Sequence, residues 1–238
     1  MNFRNDSFIV DAPGKAKPLE GLQLNAVMRN VYGWMTMGLL VTATVALAVA
    51  NSGFFPSQAV LWLAIIAQFG IVLGLSFAIR RISATAAGML FFVYSALTGF
   101  TFSILFLAFS LGSIAAAFFS TAGVFGAMTI VGMTTKTDLT QYRSYFMMGL
   151  IGVIIASVIN IFIGSSGLDF LISIFGVLLF TGLTAYDTQR IANMAASQQM
   201  KVDSQDTLKF SIMGALTLYL DFINLFLFML RLFGGGRD

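Results

Sequence analysis

The sequence predicts an all-α integral membrane bundle of seven transmembrane helices. Three observations carry that prediction. The 238 residues are 58% hydrophobic and only 10% charged, where a soluble domain carries about a quarter charged residues, and the mean hydropathy is +0.90. The few charges are segregated, with none from Asn30 to Ile79, from Ile82 to Thr135 or from Ser144 to Leu168. A helix needs about 20 apolar residues to cross the hydrocarbon, so each of the first two stretches holds two crossings and a turn. Finally, Lys and Arg alternate between successive connections, the pattern of a chain threading back and forth through a membrane.

Gly, Pro, Ser and charge divide the apolar runs. Residues 1–27 hold Asp6, Asp11 and Glu20 without an apolar core, so they read as a mobile cytoplasmic tail and not as a signal peptide. The transmembrane domain follows over 28–238. Its first crossing is expected at 32–50, ended by NSGFFPS, and its second at 59–79, ended by Arg80 and Arg81. The third (84–109) and fourth (114–133) flank SLGS. TTKTDLTQYR leads to the fifth (145–164), and SSG leads to the sixth (168–186). A polar stretch, 187–209, is expected as a loop before the seventh crossing at 210–233.

The tail holds four basic residues, and the loops then hold zero, two, zero, two, zero and three. This puts the N-terminus in the cytoplasm, since cytoplasmic loops collect Lys and Arg. Arg231 and Arg237 sit awkwardly on the far side, and a last helix that re-enters instead of crossing would remove the conflict.

With no cysteine, the chain has no disulfide, thiol nucleophile or zinc–thiolate centre. With no histidine, a response to pH must come from carboxylates. The net charge of +3 lies in loops and gives no reason to expect nucleic acid. No cofactor is expected, and the lipid bilayer is the first partner.

Two acids remain at membrane depth. Asp187 ends the sixth crossing in LTAYDTQRI, and Asp221 lies inside the seventh in LTLYLDFINLF. An ionised carboxylate in hydrocarbon costs at least about 2.5 kcal/mol, so such residues face an interior. Helical spacing places Gly214, Thr217 and Asn224 beside Asp221 as a possible polar lining. Ser157, Asn160 and Gly164 make a second stripe, and Tyr94, Thr98 and Thr101 a third. Two carboxylates in a low-dielectric site cannot both ionise cheaply and titrate as a unit. Arg80, at the depth of Asp187, could pair with it through a bidentate contact. Carboxylates with amide and carbonyl oxygens are also the hard ligands that Ca²⁺ prefers. The plainer alternatives stay open: a buried Asp can bond neighbouring helices, Arg80 can anchor topology by snorkelling, and polar stripes can hold helices together. The pairs Gly123/Gly126 and Gly149/Gly152 read as close helix contacts.

Six stretches together resemble the transmembrane Bax inhibitor motif family in its bacterial form: MRNVYGWMTMGLLVTATVA, YSALTGFTFSILF, FSTAGVFGAMTIVGMTTKTDL, MGLIGVIIASVINIF, GVLLFTGLTAYDTQRI and GALTLYLDFINLFLFMLRLFG. They cover residues 28–234. The resemblance implies a bundle whose last helix is central and wrapped by the other six, in a bacterial inner membrane. It implies a pH-sensitive calcium leak, with Asp187 and Asp221 as a di-aspartyl sensor and Ca²⁺ ligands, and with Arg80 as the gate partner of Asp187. Protons and Ca²⁺ would be its ligands. Some members carry a carboxylate in helix two, where this chain has Gln68 and Phe69. Bacterial relatives include a modulator of a membrane-bound protease, so a non-conducting regulator of another membrane protein is the alternative.

Other classes fit poorly. An intramembrane aspartyl protease needs Gly two residues before its second aspartate, where Tyr219 stands, and a Pro-Ala-Leu loop, whereas Pro13, Pro18 and Pro56 all precede helix two. No enzymatic activity is expected. A retinal photoreceptor needs a lysine within the last helix, and Lys209 precedes it.

Overall fold

Seven apolar segments that each need their backbone groups satisfied internally have one solution in lipid, a bundle of helices. The computed structural model describes residues 16–54, 56–197 and 204–234. Among these run α1 (Ala16–Asn51), α2 (Gln58–Ala78), α3 (Ala84–Phe102), the single turn α4 (Leu105–Ala108), α5 (Leu111–Thr134), α6 (Arg143–Ile163), α7 (Ser166–Ser197) and α8 (Gln205–Phe233), with a 3₁₀ turn over Leu139–Tyr142. Seven helical spans are long and apolar enough to cross a membrane.

The first helix begins at Ala16, inside the segment expected as a tail, and Val27 and Met28 are already buried in the bundle. Residues 1–15 lie outside the described ones. The third expected crossing breaks. The Ser103 hydroxyl donates to the Phe100 carbonyl at 2.7 Å, a local bond that competes with the helical ladder. The chain restarts as α4, and Ser110 then caps α5 by accepting from the Ser113 N–H at 3.1 Å. The turn between α6 and α7 needs Gly164, which takes φ of 68°, a left-handed conformation that costs other residues.

The loop expected after Tyr186 is instead helix as far as Ser197. Ile191 and Ala195, four residues apart, are both buried. That spacing keeps one face of the extension against the bundle while Arg190, Asn193 and Ser197 turn outward.

The centre belongs to α8, as the resemblance implied. Burial reaches 72% of its apolar window and 0% of that of α6. It packs directly on α1, α3, α5 and α7. The outer helices α2 and α6 pack chiefly on α3 and α7 respectively, so four helices, not six, form the main sleeve. The α8 helix is unbroken over 29 residues, about 43 Å at 1.5 Å per residue. It is therefore long enough to span. Near its end Arg231 meets Asp169 in the first turn of α7 at 3.5 Å, which offsets the charge that looked misplaced.

Candidate functional site: a buried carboxyl pair

The register of two antiparallel helices brings the acids together. The rings of Phe180 on α7 and Phe228 on α8 stack at 5.8 Å. Seven residues, two turns, separate Phe180 from Asp187, and seven separate Phe228 from Asp221. Walking those two turns in the same direction from the stacked rings leads to both carboxyls. The two carboxyls are direct neighbours across the α7–α8 contact. Asp187 is 8% exposed and Asp221 5%. The Oδ2 of Asp221 is buried and has no hydrogen-bond partner.

The four residues of the DTQR run each engage a different element. Asp187 turns to α8. The Thr188 hydroxyl lies 3.4 Å from that of Tyr32 on α1, which also reaches Thr129 on α5 at 3.5 Å. Gln189 pins the α5–α6 loop, its Oε1 accepting from the Leu139 N–H at 2.7 Å and its Nε2 donating to the Thr137 carbonyl at 2.9 Å. In that loop the Asp138 carboxylate accepts from the hydroxyl and then the N–H of Thr140, which holds its pKa below the usual carboxylate range. Arg190 turns back to Asp187.

That last contact corrects the expectation for Arg80. Arg80 is exposed in the turn that ends α2, and among the described residues no ion pair joins it to Asp187. The guanidinium beside Asp187 is Arg190, with Nη1 to Oδ1 at 3.7 Å. The reason is geometric. The α2 helix packs on α3 and makes no extensive contact with α7, while a residue three positions on along the same helix is always near. Sequence reasoning passed over Arg190 because it reads as one more basic residue of a loop, and only the helical continuation of α7 gives it that spacing.

The expected polar lining is also redistributed. Thr217 donates to the Met213 carbonyl at 3.1 Å and Asn224 to the Leu220 carbonyl at 2.8 Å. Both occupy the half-buried face of α8, flanking Asp221 without bonding it. Asn160 lies at the opposite end of the bundle, where its Oδ1 accepts from the Ser165 N–H at 3.1 Å and closes the end of α6. Gln68, in place of the extra helix-two acid, donates to Thr101 on α3 at 3.2 Å. A residue not singled out from sequence is Thr121, which is fully buried with its hydroxyl unpartnered. It lies between Phe118 and Phe125 on the α5 face whose rings meet Phe222 at 5.8 and 5.5 Å. Thr121 thus faces α8 at the level of Phe222, though its hydrophobic neighbours hid it as a core position.

As a metal centre the pair is incomplete. Ca²⁺ takes six to eight oxygens. Two carboxyls supply at most four, and no cluster of three ligating side chains occurs among the described residues.

The family model described as Inhibitor of apoptosis-promoting Bax1 matches residues 24–238. This chain belongs to the Bax inhibitor family. The match to this Bax inhibitor family protein takes in all seven candidate membrane spans. Inner membrane protein YbhL of Escherichia coli (strain K12) is 46% identical to it, over 98% of each chain. A Borreliella burgdorferi protein described only as uncharacterized is 45% identical over 90% of this chain and 94% of its own. One from Deinococcus radiodurans is 44% identical over 91% and 93%. The chain is therefore an integral membrane protein of the Bax inhibitor family, with a relative of the bacterial inner membrane.

Proposed function

We propose that this protein is a pH-sensitive calcium leak in which Asp187 and Asp221 form the sensor. The observation that carries the proposal is the Oδ2 of Asp221, buried at the centre of the bundle without a partner and beside a second carboxyl. A buried polar atom left unsatisfied costs roughly 1–3 kcal/mol, and an acid at membrane depth is by default a functional one. A proton or a passing cation would satisfy it. Protonation would neutralise the pair and loosen Arg190 from Asp187, freeing the cytoplasmic end of α7. The ionised pair would draw Ca²⁺ in. Thr121 would extend the polar surface past Phe222.

Calcium flux into dye-loaded liposomes, from acid to mildly alkaline pH, tests this with wild type, Asp221→Asn, Arg190→Ala and Arg80→Ala. The leak should depend on pH in the wild type and lose that dependence in Asp221→Asn. Its basal rate should rise in Arg190→Ala and stay near wild type in Arg80→Ala. A rise in Arg80→Ala alone would return the latch to Arg80 in a conformation other than this one. Folded protein with no flux above empty liposomes at any pH would sink the channel.

A second reading, a non-conducting regulator of another membrane protein, has one observation in its favour. The α6 helix has no fully buried residue in its apolar span, and Gly149, Gly152 and Ala156 border an apolar groove against α7. Such a regulator would keep its effect on the partner when both aspartates become Asn, whereas the leak would not.

A further inference from the structure

A second feature stands apart from the carboxyl pair. On the side of the bundle remote from the basic loops, α1 and α5 both pack on α8 but are not a packed pair themselves. Between them lies a cavity of about 460 Å³, floored by Phe222 and Phe226 of α8 and roofed by Phe102 and Leu105 at the α3–α4 break. That volume falls within the range of ligand sites, roughly 300–1,000 Å³. Its single polar lining residue is Thr42. The Thr42 hydroxyl is engaged by the carbonyls of Gly38 and Ser95 and by the Tyr219 hydroxyl at 2.6 Å.

Water does not suit this space, because an ordered water needs two to four polar partners. Emptiness does not suit it either, because every side chain along the wall would lose its contacts on that side. The mouth is formed by Leu47, Leu111 and Phe119, which are 45%, 69% and 71% exposed within membrane spans. The cavity is thus continuous with the surface that the bilayer covers, and hydrocarbon is what reaches it.

We propose that one acyl chain of a bilayer phospholipid occupies this cavity, entering between α1 and α5 and ending against Phe222. Phe222 is the residue next to Asp221 and carries the chain's contact on to the Phe125 ring, so its occupancy would brace α8 at the level of the pair. The site does not depend on whether the protein conducts.

The test uses the full-length protein in phosphatidylcholine vesicles doped with phosphatidylcholine bearing a photoreactive diazirine midway along one chain. Mass mapping should find label on the peptides holding Ala43–Leu47, Ala115–Phe119 and Phe222–Phe226. Ala43→Phe and Ala115→Phe fill the space from opposite, exposed walls. Each should cut the label on the α8 peptide roughly fivefold or more, with label at Ile161 and Phe162 of α6 unchanged. Phe119→Ala widens the mouth and should raise it. Label on α8 that ignores all three variants would overturn the site. So would label from a diazirine fatty acid but none from the phospholipid, or a cross-linked dimer in which the cavity peptides are protected.

Discussion

Tyr219 and Asp221 stand two positions apart on α8 and look in different directions. The Tyr219 ring is edge-on to Phe91 and Tyr94, each at 5.7 Å, and its hydroxyl meets Thr42. Thr42 has one proton to give and two carbonyls to accept it, so Tyr219 is the donor in their bond. Removing that donor by Tyr219→Phe orphans nothing, since Thr42 keeps both carbonyls. Helix-to-helix bonds in membranes average about 0.6 kcal/mol. Thermal unfolding in detergent should therefore fall by only a few degrees, at roughly 2–4 °C per kcal/mol for a chain of this size. A collapse of the fold would show that the hydroxyl does more than join α8 to α1. Of these two residues the sequence marks only Asp221, because an acid in an apolar run is conspicuous and a tyrosine is not.

At the scale of elements, helix contacts turn on a few glycines, and not on those the spacing suggests. Gly123, Gly126 and Gly152 have open space where a Cβ would stand. Gly149 does meet a flexible Leu179 side chain at 2.9 Å, whereas a Cβ on Gly132 would lie 2.5 Å from the Ala185 carbonyl oxygen and 3.0 Å from the Thr188 Cβ. Backbone cannot yield as a side-chain tip can. Gly132→Ala should push α5 off α7 next to Asp187 and cost about 1–3 kcal/mol, as overpacking does. Gly126→Ala, six residues back on the same helix, should be neutral or gain up to about 1 kcal/mol from helix propensity. Unfolding midpoints of the two variants in detergent check this, and equal destabilisation would refute it. Both glycines look alike in the sequence. What separates them is the neighbour across the gap, which only the assembled bundle supplies.

For the whole molecule, the basic residues of the α2–α3 turn, the α5–α6 loop and the end of α7 gather at one end of the bundle, held by the Gln189 bonds to Thr137 and Leu139 and by the Ala84 N–H donating to Gln205 at the start of α8. Arginine and lysine favour the cytoplasmic side, so this end should face inward. The absence of cysteine from the sequence makes the check clean. A membrane-impermeant maleimide applied to intact cells should label Gly112→Cys and Gly234→Cys and spare Arg81→Cys and Ser197→Cys. The reverse pattern would invert the protein. Label on Gly112→Cys but not on Gly234→Cys would bring back a re-entrant last helix.

The sequence by itself determined the class, the number of spans and the two acids, because each follows from composition along the chain. Lipid forbids unsatisfied backbone, so seven apolar runs of sufficient length become seven helices, and a carboxylate in such a run must face inward. Boundaries were less legible where a polar stretch remained helical. After Tyr186 the apolar run stops, but Ile191 and Ala195 keep a buried face. Partners were not legible at all. Arg80 and Arg190 are both arginines near a helix end, and choosing between them required knowing that α2 lies on α3 and that α7 continues past Asp187. Asn160 and Asn224 look like one kind of polar residue, yet one closes a helix end and the other bonds its own backbone beside Asp221. Tertiary structure decided these matters, because a side chain's role is set by what stands across from it, and helical periodicity fixes only the face on which it lies.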